Sequence, residues 1–193
     1  MQTHATIKER ALQPASASLA RVPATVWALA LYLVGVILLL ARSFVLADHH
    51  FIYALDDTYI HMAIAKHFAG VGVWGVTPFG FTSATSSPLF DLLLASGYFF
   101  TGPVIWLPLL ISFGFGVAAI FMADRMLPSE SKFRTVALLA FVLLTPLPSI
   151  GVLGMEHTLQ IFLDLAFIWR ATIAITQRRS WDNWLLVIGP LLV

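Results

Sequence analysis

The chain has 193 residues, of which 59% are hydrophobic and only 11% charged, with a mean hydropathy of +0.88. Soluble domains carry about 25% charged residues, so this chain lacks the polar surface to coat a water-soluble globule, and lipid is expected to cover much of it. A net charge of +1 offers no basic face for nucleic acid, and the absence of cysteine excludes disulfides and thiolate metal sites.

Residues 1–22 form a polar leader in which Lys8, Arg10 and Arg21 outweigh Glu9. The apolar run over 26–47 follows, too long for the hydrophobic core of a signal peptide. At about 1.5 Å per residue it reaches roughly 33 Å, enough to cross a bilayer core. It is therefore expected to be a retained first span, with Arg42 extending its charged head to the lipid phosphates. The basic leader places the N-terminus in the cytoplasm and Asp48 outside.

Residues 48–102 contain no uninterrupted span and are expected to form an outer loop. Asp56 and Asp57 sit side by side near its start. Burying either charge in hydrocarbon would cost several kcal/mol, so both belong at the membrane edge or in a wet cavity. The spacing of Ile60, Ala63, Ile64 and Phe68 predicts an amphipathic helix over 57–69, with Asp57, His61 and Lys66 off its apolar face. Gly70, Gly72 and Gly75 end it. A loop rich in Gly, Thr and Ser leads to Ser87-Pro88, an N-cap followed by proline at the first helical position. A second interfacial helix is expected over 88–100, carrying Asp91.

The uncharged run 105–123 is the second span. It exits into Asp124, Arg125 and a polar loop with Lys132 and Arg134, a cytoplasmic signature. The third span is expected over 136–153, ended or kinked by Pro146 and Pro148, with Gly151, Gly154 and Met155 turning outside. The fourth, over 156–176, returns to the basic run Gln177-Arg178-Arg179. A fifth begins at 184–193 but is too short to cross, so the chain is expected to be a fragment of a longer protein or a truncated reading frame. This count of crossings brings Asp56, Asp57 and Glu156 to one outer face.

Carboxylates converging there could hold a divalent cation such as Mg or Mn through hard oxygen ligands, with Asp57 and Glu156 the candidate ligands. Alternatively one acts as a base. Each also has a structural explanation: Asp56 or Asp57 as a helix N-cap, Glu156 as a partner of a helix dipole. Asp57 and His61 are one turn apart and could face one ligand. His49, His50, His67 and His157 also fall near the outer face, without a tight metal-ligand spacing. Asp164 and Arg170 are charges within the fourth span, and Glu156, Gln160 and Asp164 form a polar strip expected to turn from lipid. That strip admits an alternative, a transporter or channel module; a non-catalytic membrane assembly subunit is a third. The aromatics Trp74, Phe79, Phe81, Tyr98, Phe99, Phe100 and Trp106 read as an interfacial belt.

Three segments together resemble a known family. They are Asp56-Asp57-Thr58-Tyr59-Ile60, then Gly80-Phe81-Thr82-Ser83 through Ser87-Pro88-Leu89-Phe90, and Gly154-Met155-Glu156-His157-Thr158. In order and in placement relative to the spans, they resemble the N-terminal half of the GT-C membrane glycosyltransferases. The likeness is above all to the bacterial arabinofuranosyltransferase and mannosyltransferase-like group, and it covers 26–193. It implies an all-α polytopic membrane protein with interfacial helices in the first outer loop. It implies an aspartate near the start of that loop, Asp57 or Asp56, and a second acidic residue, Glu156, in the next. His61, Lys66, Ser87 and His157 are the accompanying candidates for substrate contacts. The implied donor is a polyprenyl-phosphate monosaccharide and the implied acceptor a hydroxyl of a glycan or other molecule, at the outer face of the inner (cytoplasmic) membrane. The loop between Thr82-Ser83 and Ser87-Pro88 is longer than the family's, and the family has further spans.

Overall fold

The structure, a computed structural model, describes residues 22–128, 132–177 and 187–189. The leader over 1–21, the basic pair Arg178-Arg179 and most of the fifth apolar run lie outside the described residues. Among the described residues seven helical elements are delimited, in order: α1 Ala24–Leu46, α2 Asp57–Val71, α3 Pro88–Thr101, α4 Leu107–Met126, α5 Arg134–Leu144, α6 Leu147–Val152 and α7 His157–Thr176. No described residue is in a strand. Helices α1, α4 and α7 are each long and apolar enough to cross a membrane.

The third expected span is broken. Pro146 has no N–H to donate, and its ring opposes continuation of α5. Thr145 closes α5 by donating its hydroxyl to Phe141 O (2.6 Å). Pro146 O then accepts from the backbone of Ser149 and Ile150, which starts α6. The result is two short helices in place of one.

These elements assemble into two packed units. In the first, Ala28, Tyr32 and Val36 recur every fourth residue on α1 and meet Ile120, Ala123, Leu138, Val142 and Leu147. Tyr32 is fully buried and stacks on Phe113 at 5.3 Å. Leu33, Ile37, Leu38 and Val45 on the rest of α1 stay exposed, as a helix bathed in lipid on most sides would have them. The second unit is the α2/α3 pair, closed on Ala65, Phe90, Leu94, Ala95 and Tyr98, with Leu159 of α7 completing it. Gly72 ends α2 in the left-handed region (φ 72°), where a residue without Cβ is unstrained.

The two ends of the bundle are tied differently. At one, Asp124 accepts from Thr25 Oγ1 (2.8 Å) and Arg134 Nε (2.8 Å), joining the start of α1, the end of α4 and the start of α5. At the other, the turn ahead of α7 is held from three directions. Thr58 Oγ1 of α2 donates to Leu153 O (2.8 Å). Ser112 Oγ of α4 donates to Met155 O (2.7 Å). Gly154 (φ 69°) passes so close to Tyr53 that a Cβ there would meet its ring at 2.4 Å. Tyr53 in turn donates to Ile105 O (2.7 Å) and accepts from Leu109 N (3.0 Å), fixing the first loop to the start of α4. The α2/α3 pair, the start of α4 and the start of α7 therefore share one end of the molecule.

Candidate functional site

The first link in the site is the face that α2 buries. The expected apolar face of Ile60, Ala63, Ile64 and Phe68 is only partly the one that packs. The buried residues are Thr58, His61, Ile64 and Ala65, while Phe68 is exposed. Polar residues occupy an inner face here because each finds a partner there, which removes most of the desolvation penalty. Thr58 uses Leu153 O. His61, only 2% exposed, uses carboxylates.

His61 Nδ1 lies 2.6 Å from Asp91 Oδ1, and Asp91 is fully buried. His61 Nε2 lies 3.2 Å from Glu156 Oε2. This second contact is an ion-pair distance off the N–H direction, so it is electrostatic; Oε2 has no hydrogen-bond partner. Ser86 Oγ, from the loop ahead of α3, donates to Glu156 Oε1 at 2.9 Å and stands 3.5 Å from His61 Nε2. The edge of the Phe90 ring closes the apolar side of the imidazole at 5.5 Å. Asp91 Oδ2 and Thr158 Oγ1 nearby are also buried without hydrogen-bond partners.

The electrostatics follow from this arrangement. Burial alone would push the His61 pKa down, but the hydrogen bond to Asp91 and the nearby charges of Asp91 and Glu156 outweigh it and raise it to about 9. Burial alone would push Glu156 up; His61, together with Ser86, overturns that and holds its carboxyl at about 2. Glu156, so held, is an anion at neutral pH and a poor proton acceptor.

The residues singled out in the sequence part company. Glu156 is in the cluster, at the N-cap position of α7 but without a side-chain cap bond; its carboxylate serves His61 and Ser86 instead. His61 is there too, but it turns to Asp91 and Glu156 rather than sharing a ligand with Asp57. Asp56 and Asp57 are both exposed at the start of α2, Asp56 at the N-cap position without a side-chain cap bond. They reach the same end as Glu156 through Thr58, whose hydroxyl holds Leu153 O. Lys66 is exposed on α2 and His157 half-buried in the first turn of α7. Ser87 is the N-cap residue of α3 with Pro88 after it, as expected, although its side chain makes no cap bond. Its neighbour Ser86 makes the contact with Glu156.

Asp57 and Glu156 were expected to hold Mg or Mn. Among the described residues no group of three His, Asp or Glu side chains is placed to hold a metal ion, and Glu156 already serves Ser86 and His61. On the polar strip of α7, Glu156 is buried, Asp164 half-buried and Gln160 exposed. The strip therefore does not turn uniformly into the protein.

Asp91, like Ser86, belongs to this cluster and was passed over by sequence reasoning. The signal was present: it is the lone charge in the apolar helix Pro88–Thr101, and such a charge is rarely buried unpaired. Its partner lies thirty positions away, beyond any local spacing rule. No family model, curated protein or solved structure matches this chain.

Proposed function

We propose that the chain carries the outer-face catalytic module of a membrane glycosyltransferase of the GT-C kind. It would transfer a sugar from a polyprenyl-phosphate donor to an acceptor hydroxyl at the outer face of the cytoplasmic membrane. The observation that carries the reading is the charged cluster of Asp91, His61 and Glu156, built at the same end of the apolar helices as the exposed pair Asp56 and Asp57. A buried charge cluster costs stability unless it is fully paired. Its place beside a solvent-facing carboxylate pair is what a site for charge-developing chemistry requires.

The roles divide by environment. Asp57 or Asp56, open to solvent at the first turn of α2, takes the proton of the acceptor hydroxyl. The acceptor oxygen forms its bond to the anomeric carbon. The bond from that carbon to the lipid phosphate oxygen breaks, and its electron pair leaves on the phosphate, which needs no protonation. As that bond loosens, positive charge develops on the sugar ring. Glu156, anionic at any physiological pH, stabilises it electrostatically. Lys66, exposed on α2, is the cation offered to the phosphate. No step is routed through a metal.

The test uses the complete protein in proteoliposomes with a panel of synthetic polyprenyl-phosphate monosaccharides. Asp57→Asn or Asp56→Asn should lower transfer by about 10²–10⁴-fold for at least one of the two, the range for a lost general base. Full activity in both variants removes the base assignment, and no transfer from any donor removes the reading.

A further inference from the structure

A neutral imidazole carries one N–H and one lone pair. At His61 both ring nitrogens face carboxylate oxygens, Nδ1 at 2.6 Å and Nε2 at 3.2 Å. A lone pair on Nδ1 would point at Asp91 Oδ1, and one on Nε2 would lie beside Glu156 Oε2; negative charge next to either nitrogen favours a proton on it. We propose that His61 and Asp91 are positioning residues for Glu156: an imidazolium anchored on Asp91 that fixes the charge and direction of the Glu156 carboxylate.

The geometry gives each member a separate task. Asp91 is fully buried, and its Oδ1 takes the shorter contact, so it anchors the proton on the ring. It also sets the plane of the ring, in the way a buried carboxylate orients a histidine in other enzymes. His61 rides on α2, whose first turn carries Asp57, one turn away. A shift of α2 thus moves the candidate base and the charge that holds Glu156 together. Ser86, whose Oγ stands 3.5 Å from His61 Nε2, donates to the other Glu156 oxygen at 2.9 Å, so both oxygens of the carboxylate are engaged. Asp91 Oδ2 has no hydrogen-bond partner in its buried position. The imidazolium is the compensating charge it meets, so neutralising His61 would leave two buried carboxylates repelling each other, and one of them would take up a proton.

The effect on turnover rests on the proposed glycosyl transfer; the charge state does not, and the two are measured separately. The first measurement is nitrogen NMR on ¹⁵N-histidine-labelled protein in nanodiscs at pH 7.5, with the His61 signal assigned by its loss in His61→Gln. Both ring nitrogens should be protonated. A neutral His61 ring in the wild-type protein overturns the proposal, whatever any variant does. The second compares Asp91→Asn, which keeps the shape of the side chain and removes its charge. His61 should then lose its proton at lower pH, and kcat for transfer should fall about 100-fold with KM for the acceptor unchanged. Combining Asp91→Asn with Glu156→Gln should be no worse than Glu156→Gln alone, since both act through one group. An unchanged His61 titration or an unchanged kcat in Asp91→Asn overturns the proposal. An imidazolium signal in a protein that transfers no sugar leaves the clamp standing and defeats the transferase reading.

Discussion

An imidazole held between two carboxylates makes folding stability depend on pH in a direction that can be worked out. The folded pKa of His61 is raised to about 9 from its ordinary 6.5. Its contribution is thus complete below about pH 6.5 and is lost as pH rises through 9. Glu156, lowered from 4.5 to about 2, works in the opposite sense: its contribution is complete above about pH 4.5 and is lost as pH falls through 2. The melting temperature in detergent should therefore decline between pH 6.5 and 9, and His61→Gln should flatten that decline. Parallel curves for the two proteins would show that the imidazolium is not coupled to folding. Of this cluster, Glu156 and His61 were legible from the sequence as candidates, but for other reasons than the ones that hold. Helical periodicity, which sorts residues by polarity, puts His61 off the apolar face. Its burial depends on Asp91 and Glu156, supplied by α3 and the turn before α7, and periodicity within one helix cannot see them. Ser86 was overshadowed by Ser87, which carries the helix-start signal beside Pro88.

At the scale of elements, what the sequence made legible was where the helices lie, apart from the separate short helix α6, and what it left open was the way they meet. Starts and stops were written locally: Ser87-Pro88 opens α3, Gly72 closes α2, and Pro146 divides the third apolar run. Close approach was not, because a glycine within an apolar run looks the same whether it faces lipid or a ring. Gly116 of α4 and Gly151 of α6 both receive Tyr32 of α1. An added Cβ would lie 2.2 Å from the Tyr32 hydroxyl oxygen at Gly116 and 2.5 Å from it at Gly151. Tyr32 is fully buried, stacked on Phe113, and cannot swing clear. Gly116→Ala should therefore cost about 1–3 kcal/mol by overpacking, read as a lower midpoint in denaturant titration of the detergent-solubilised protein. Gly70→Ala is the control. It sits in α2 with nothing within 4 Å of the added Cβ, so the gain in helix preference of about 0.5–1 kcal/mol should raise the midpoint. Equal effects of the two substitutions would mean that the Tyr32 contact does not order the bundle.

For the whole molecule the decisive property is which end faces which compartment. Thr25, Asp124 and Arg134 meet at one end, while Tyr53, Thr58, Ser112 and Met155 meet at the other. Helices α1, α4 and α7 connect those ends, and Asp56, Asp57 and Glu156 lie at the same end of the molecule. The proposed membrane placement makes this measurable, and the absence of cysteine from the chain means that introduced thiols are labelled without background. Thr77→Cys probes the exposed loop between α2 and α3, Lys132→Cys the exposed start of the segment leading into α5, and Gln177→Cys the far end of α7. In intact cells a membrane-impermeant maleimide should modify Thr77→Cys and spare the other two, and permeabilisation should expose all three. Because Gln177 and Glu156 flank α7 at opposite ends, protection of Gln177→Cys places Glu156 on the side of Thr77, together with Asp56 and Asp57. Modification of Thr77→Cys and Gln177→Cys from the same side of intact cells would mean that α7 does not cross. The Asp91–His61–Glu156 cluster could then persist as a piece of folded structure, but it would have no claim to a site at the outer membrane face.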